Sequence, residues 1–146
     1  MASRPEPSIS IQPRWAWPFA TPALHWIALL GLCAAYLQGG IQKALDFGGA
    51  VAESAHFGLQ PAVPVTLAVI VLELGASLAI LTGRYRWLGA LALAAFTLAA
   101  TSMANRFWSV PDAERFATAN AFFEHLGLVG GFLLVAWQDL REKNAG

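Results

Sequence analysis

The chain has 146 residues, 57% of them hydrophobic and 12% charged, with a formal net charge of +0 and a mean hydropathy of +0.53. One soluble core of this size does not need so much apolar surface, and the excess calls for lipid. A neutral balance without a basic run or a stacking-aromatic pattern excludes nucleic acid as a partner.

Residues 1–21 are polar and interrupted by Pro5, Pro7, Pro13 and Pro18. No small-residue cleavage site follows a short apolar stretch, so this segment reads as a cytoplasmic tail and not as a cleaved signal. A first membrane-spanning helix is expected over about residues 22–43. Cys33, the only cysteine, lies deep in that run. It excludes an internal disulfide and a Cys-x-x-Cys relay, Leu32 before it excludes a lipobox, and it reads as an inert core residue. Gly31, Ala35 and Gly39 form a small-residue row suited to close helix packing. Gln38 and Gln42 form a polar pair one turn apart, and Lys43 at the outer end is positioned to snorkel.

The stretch from Asp46 to Gln60 is too long for a simple turn and predicts a short interfacial helix around Ala50 to Phe57, ahead of Pro61 and Pro64. The second span, 62–82, carries Thr66, Glu73 and Ser77 at helical spacing, hence on one face. A carboxylate in such a run costs roughly 2.5 to 3.5 kcal/mol on insertion scales, which makes Glu73 the default functional residue and the one catalytic candidate. At a rise of about 1.5 Å per residue it lies roughly 16 Å from Ala62, near the midplane. Arg84 and Arg86 mark a tight turn. The third span, 87–105, repeats the polar pattern with Thr97, Thr101 and Asn105, and Arg106 sits at its outer end. A helical lead-in over Pro111 to Asn120, with Ser109 as a candidate cap and Asp112 and Glu114 in the first turn, opens the fourth span, 112–138. That span places Glu124 and His125 in the outer half, followed by a packing row of Gly127, Gly130 and Gly131. Residues 141–146 close the chain as a second cytoplasmic tail, leaving 22–140 as one domain.

Arg4, Arg14, Arg84, Arg86, Arg141 and Lys143 fall on one side of this arrangement, whereas Lys43, Arg106 and Arg115 on the other are accompanied by Asp46, Glu53, Asp112 and Glu114. The positive-inside rule then puts both termini in the cytoplasm. Trp15, Trp17, Trp26, Trp87 and Trp137 fall at the cytoplasmic interface and Trp108 at the outer one, as belt residues do. The expected architecture is all-α: a four-helix transmembrane bundle with short interfacial helices in the two outer loops.

The polar residues above Glu73 describe a funnel that opens outward. Its candidate ligand-binding residues are Gln38, Gln42, Lys43, Glu73, Thr101, Asn105, Arg106, Glu124 and His125. His25 lies near the cytoplasmic end and His56 and His125 near the outer one, so no haem is expected, no iron–sulfur cluster, and no metal; a His56, Glu124 and His125 site is the weak exception. No nucleophile elbow and no phosphate-gripping glycine loop is present. A quinone head group needs only one or two hydrogen-bond partners and a proton donor or acceptor in an apolar slot, which the funnel supplies.

Short motifs in fixed order resemble the DoxX family: Gly39-Gly40-Ile41-Gln42-Lys43, Gly58-Leu59-Gln60-Pro61, Val71-Leu72-Glu73-Leu74-Gly75, Gly83-Arg84, Phe107-Trp108, and Phe123 through Gly131. The resemblance runs over roughly residues 24 to 138. It implies a small multi-pass protein of the bacterial inner membrane, a membrane subunit of a thiosulfate:quinone oxidoreductase or of a redox complex handling thiol and oxidative stress. Two departures stand out: Asn105-Arg106 where the family often has His-Pro, and Glu124-His125 where it has Lys-Asn. Arg106 and Glu124 read as an exchanged charge pair. Three readings stay open at this point: a redox-associated subunit with a pocket around Glu73 for a quinone or other small molecule, with Lys43 and Arg106 drawing in an anion or holding the acids of a redox partner protein; a non-enzymatic anchor or scaffold for a partner protein, with Glu73 as interhelical glue; and a small-solute or proton transporter, disfavoured by the missing inverted repeat.

Overall fold

Five helices fill the computed structural model, which describes residues 21–145: α1 (Pro22–Leu45), α2 (Phe47–His56), α3 (Ala62–Thr82), α4 (Arg86–Ala104) and α5 (Asp112–Ala145). No strand occurs among the described residues. The tail residues Arg4, Arg14, Trp15 and Trp17 lie outside them. Helices α1, α3, α4 and α5 are long and apolar enough to cross a membrane.

Local chemistry accounts for the helix ends. Thr21 caps α1, its side chain accepting the Leu24 N–H at 3.3 Å, and Pro22 occupies the first turn, where its missing N–H costs nothing. Asp46 serves two helices at once. Its N–H closes α1 on the Gln42 carbonyl, and its carboxylate accepts the Gly49 N–H at 3.0 Å to cap α2. A Cβ at position 49 would crowd the Asp46 carboxylate, so the glycine leaves that cap room. Gly83, at φ 77, ends α3 in the left-handed conformation, and the Arg86 Nε donates back to the Ile80 carbonyl at 3.0 Å. Tyr85 gives α4 no side-chain cap; instead Asp139 of α5 reaches across and accepts the Trp87 N–H at 3.2 Å.

The interfacial helix expected between the first two spans is α2. The lead-in expected before the last span is also helical, but it is the first part of α5 and not a separate element. At 34 residues α5 is about 51 Å long against a hydrocarbon core of about 30 Å, so its polar first turns stand clear of the bundle. Ser109 does not cap it: the hydroxyl donates to the Arg106 carbonyl at 2.9 Å, one turn too early. At the other end the helix runs through Ala145, so the expected final tail is mostly helical.

Helix α1 packs on α3, α3 on α4 and α4 on α5, while α1 and α5 meet at only a few points. One of those is the edge-to-face pair of Tyr36 and Phe132, with ring centroids 5.3 Å apart. The buried core around it consists of Leu29, Cys33, Ile80, Ala90, Leu93, Ala94 and Ala136. Close approach relies on three glycines. A Cβ on Gly89 would meet the Ala76 carbonyl oxygen at 2.7 Å, one on Gly40 would meet Leu74 at 2.8 Å, and one on Gly131 would meet Leu32 at 3.1 Å. Gly31, Gly127 and Gly130, expected to pack, face open space. Exposed Ile27, Val71 and Leu134 look outward, as lipid-facing residues do.

Candidate functional site

Glu73 is 5% exposed, and its company is a lysine. Lys43, 30 residues earlier on α1, places its Nζ 3.0 Å from one carboxylate oxygen and 3.1 Å from the other. The Lys43 stem turns inward across one helical turn instead of snorkelling outward, because a buried carboxylate with no counter-charge costs far more than a bent lysine stem. Gly39 makes the turn sterically open: a Cβ there would lie 3.3 Å from Nζ and 3.8 Å from both carboxylate oxygens. The ion pair therefore joins α1 to α3.

Two hollows meet at this pair. The larger is a lateral cleft of about 480 Å³ on the α2 side of the contact between Tyr36 and Phe132, where α1 and α5 part. Its walls are mostly apolar, with Phe57, Leu59, Val69, Phe96 and Met103 among them, and its polar rim is set by Tyr36, Ser54, Glu53 and His125 around the Lys43 and Glu73 floor. The smaller, of about 300 Å³, is polar and lined by Gln42 and Asp46 among others; Gly39, Lys43 and Glu53 belong to both. A third hollow beside His25 and Asp139, at the end of the α3–α4 turn, holds about 10 Å³, room for about one water.

The cleft's charges do not suit an anion. One lysine stands against two carboxylates, Glu53 and Glu73, and that lysine is already engaged. Serine and threonine hydroxyls around it are tied down in the way usual for membrane helices: Thr97 donates to the Leu93 carbonyl at 2.6 Å and Thr66 to the Ala62 carbonyl at 2.8 Å. Tyr36 and Ser54 in turn contact those threonines, tying α1 to α4 and α2 to α3.

A family model for DoxX matches residues 25–106. The chain belongs to the DoxX family. No curated protein matches it, and no solved structure does. The matched segment of this DoxX protein contains Lys43, Glu73 and the α4 wall of the cleft, and ends before Glu124 and His125. Family membership and four apolar helices make it an integral, multi-pass membrane protein.

Of the residues singled out in the sequence, the fold brings Lys43, Glu73 and His125 to the cleft and Gln42 to the neighbouring hollow. Gln38 and Gln42 are exposed and bonded to each other at 2.6 Å, so Gln38 lies outside both hollows. Thr101 is buried and accepts from Asn105 Nδ2 at 3.0 Å, and neither lines the cleft. Arg106 and Glu124 are exposed and make no ion pair among the described residues, so the expected exchanged charge pair does not form. Among the described residues no group of histidine, cysteine and carboxylate side chains is placed to hold a metal. Tyr36, Glu53 and Ser54 were not expected in the site. Tyr36 shares the α1 face of Gly39 and Lys43 at spacings of three and four, which is the signal that finds it.

Proposed function

We propose that this DoxX protein holds a lipid-soluble small molecule in its lateral cleft and serves as the membrane subunit of a redox system, quinone-linked or engaged in thiol and oxidative stress. Its place is the bacterial inner membrane with both termini in the cytoplasm, since Arg84, Arg86, Arg141 and Lys143 gather at one end. The cleft then opens in the outer half of the bilayer. One observation carries the reading: a roomy, mostly apolar cleft lies directly on an ion pair whose carboxylate is buried. An ion pair that served only as glue would gain from close packing around it, whereas this one is left accessible to a guest. Glu73 is the group placed to take up or release a proton from a bound head group, with Lys43 holding its charge; a redox partner protein would exchange the electrons.

A second reading has its own support. The ion pair clamps α1 to α3 over a sequence separation of 30, as a registry-setting contact in an anchor for a partner protein does. Gentle purification from the native membrane, followed by mass spectrometry of co-purifying small molecules and proteins, separates the two when wild type is compared with the cleft-filling variant Ala100→Phe. Ligand retained by wild type and lost from the variant, at unchanged thermal stability, is the expected result. Equal small-molecule content in both, with a protein partner retained, would replace the redox reading with the anchor.

A further inference from the structure

The polar groups around the cleft have almost no hydrogen to offer a guest. Thr97 Oγ1 spends its single proton on the Leu93 carbonyl at 2.6 Å, so the Tyr36 hydroxyl is the donor in the contact between them and keeps only lone pairs for the cleft. Ser54 stands likewise. Thr66 Oγ1 donates to the Ala62 carbonyl at 2.8 Å, which makes Ser54 Oγ the donor in its own 2.8 Å contact with Thr66. His125 Nδ1 meets the Ala121 carbonyl, an acceptor, so that nitrogen carries a hydrogen, and Nε2 is an acceptor when the ring is neutral. Glu53 and Glu73 are acceptors when ionised. Lys43 commits two of its three N–H bonds to Glu73. One spare hydrogen therefore faces five acceptor groups, and the backbone N–H groups along these helix walls are spent within the helices.

We propose that the cleft takes an amphiphile with an apolar body and a hydrogen-bond-donating head group, of the phenol type, in preference to one whose head carries only carbonyl or ether oxygens. This rests on the ligand-binding reading above and adds the head-group chemistry to it. A hydroxyl finds acceptors wherever it turns, and a carboxylate acceptor strengthens the bond. An acceptor-only head must compete for the one Lys43 hydrogen and otherwise buries oxygen against oxygen. For a redox carrier, the rule favours the hydroxylated, reduced form over its dione.

The test uses the full chain in detergent or nanodiscs and two probes with one body, 4-dodecylphenol and its methyl ether, titrated by calorimetry. The expected result is phenol bound at least about tenfold more tightly, the scale of one hydrogen bond to a charged or well-placed acceptor. Tyr36→Phe and, separately, Ser54→Ala each narrow that ratio, and Ala100→Phe abolishes saturable binding of the phenol. Equal or tighter binding of the ether by wild type overturns the inference and leaves the ligand-binding reading in place. Saturable binding of neither probe removes both.

Discussion

Removing either member of the Lys43 and Glu73 pair should destabilise the protein, and the two losses should be unequal. Lys43 carries a side chain 27% exposed on a flexible stem, while Glu73 has 6%. In Glu73→Gln the freed ammonium can swing toward Glu53 and the polar hollow, losing a charge-assisted bond worth about 1.5–3 kcal/mol but regaining part of it there. Lys43→Met leaves the carboxylate where it is, held by α3 with nowhere to move, and that situation costs about 3–5 kcal/mol. The double variant Lys43→Met/Glu73→Gln removes both charges and should lose less than the sum of the single losses, by a coupling of about 1–3 kcal/mol. Reversible unfolding in mixed micelles, followed by tryptophan fluorescence, measures all four proteins. Lys43→Met costing no more than Glu73→Gln, or a double loss equal to the sum, would refute the claim that a fixed carboxylate and a mobile lysine hold each other.

Glycine positions give a second check. Gly89→Ala drives a methyl group into the Ala76 carbonyl oxygen and should cost about 1–3 kcal/mol by overpacking, whereas Gly127→Ala meets open space and should be within about 0.5 kcal/mol of wild type in the same assay. Asp139→Ala leaves the first turn of α4 without its borrowed cap and should lower stability by about 1–2 kcal/mol, while Lys143→Ala, which removes only a half-exposed partner 2.7 Å from the carboxylate, should cost under about 1 kcal/mol.

The helices were legible because hydropathy and caps are local. The spans ended within a few residues of the observed ends where a chemical signal marked them: Pro22 at the start of α1, Gly83 at the end of α3. They diverged where continuation depended on what lay beside the helix. Nothing in Pro111 to Asn120 says whether a break follows, and α5 simply runs on. Which glycines pack was equally hidden, since a four-residue row specifies a face but not its neighbour. Gly31 and Gly127 belong to such rows and look outward, while isolated Gly89 carries the closest helix approach.

The site divides along the same line. Depth and face put Glu73, Lys43 and His125 near one another, because both follow from counting along single helices. Direction of side chains does not. Gln38 lies at the right depth and turns away, Gln42 reaches only the neighbouring hollow, and Lys43, expected at the outer edge, is pulled inward by the demand of a buried carboxylate. That inversion changes the chemistry. A free lysine at the mouth of a funnel would recruit anions, but a lysine committed to Glu73 beneath a rim containing Glu53 repels them, and the threonines that absorb their own protons turn the neighbouring hydroxyls into acceptors. The selectivity of the cleft is thus set less by which polar residues line it than by where each has already spent its hydrogen, a property of pairs of residues on different helices.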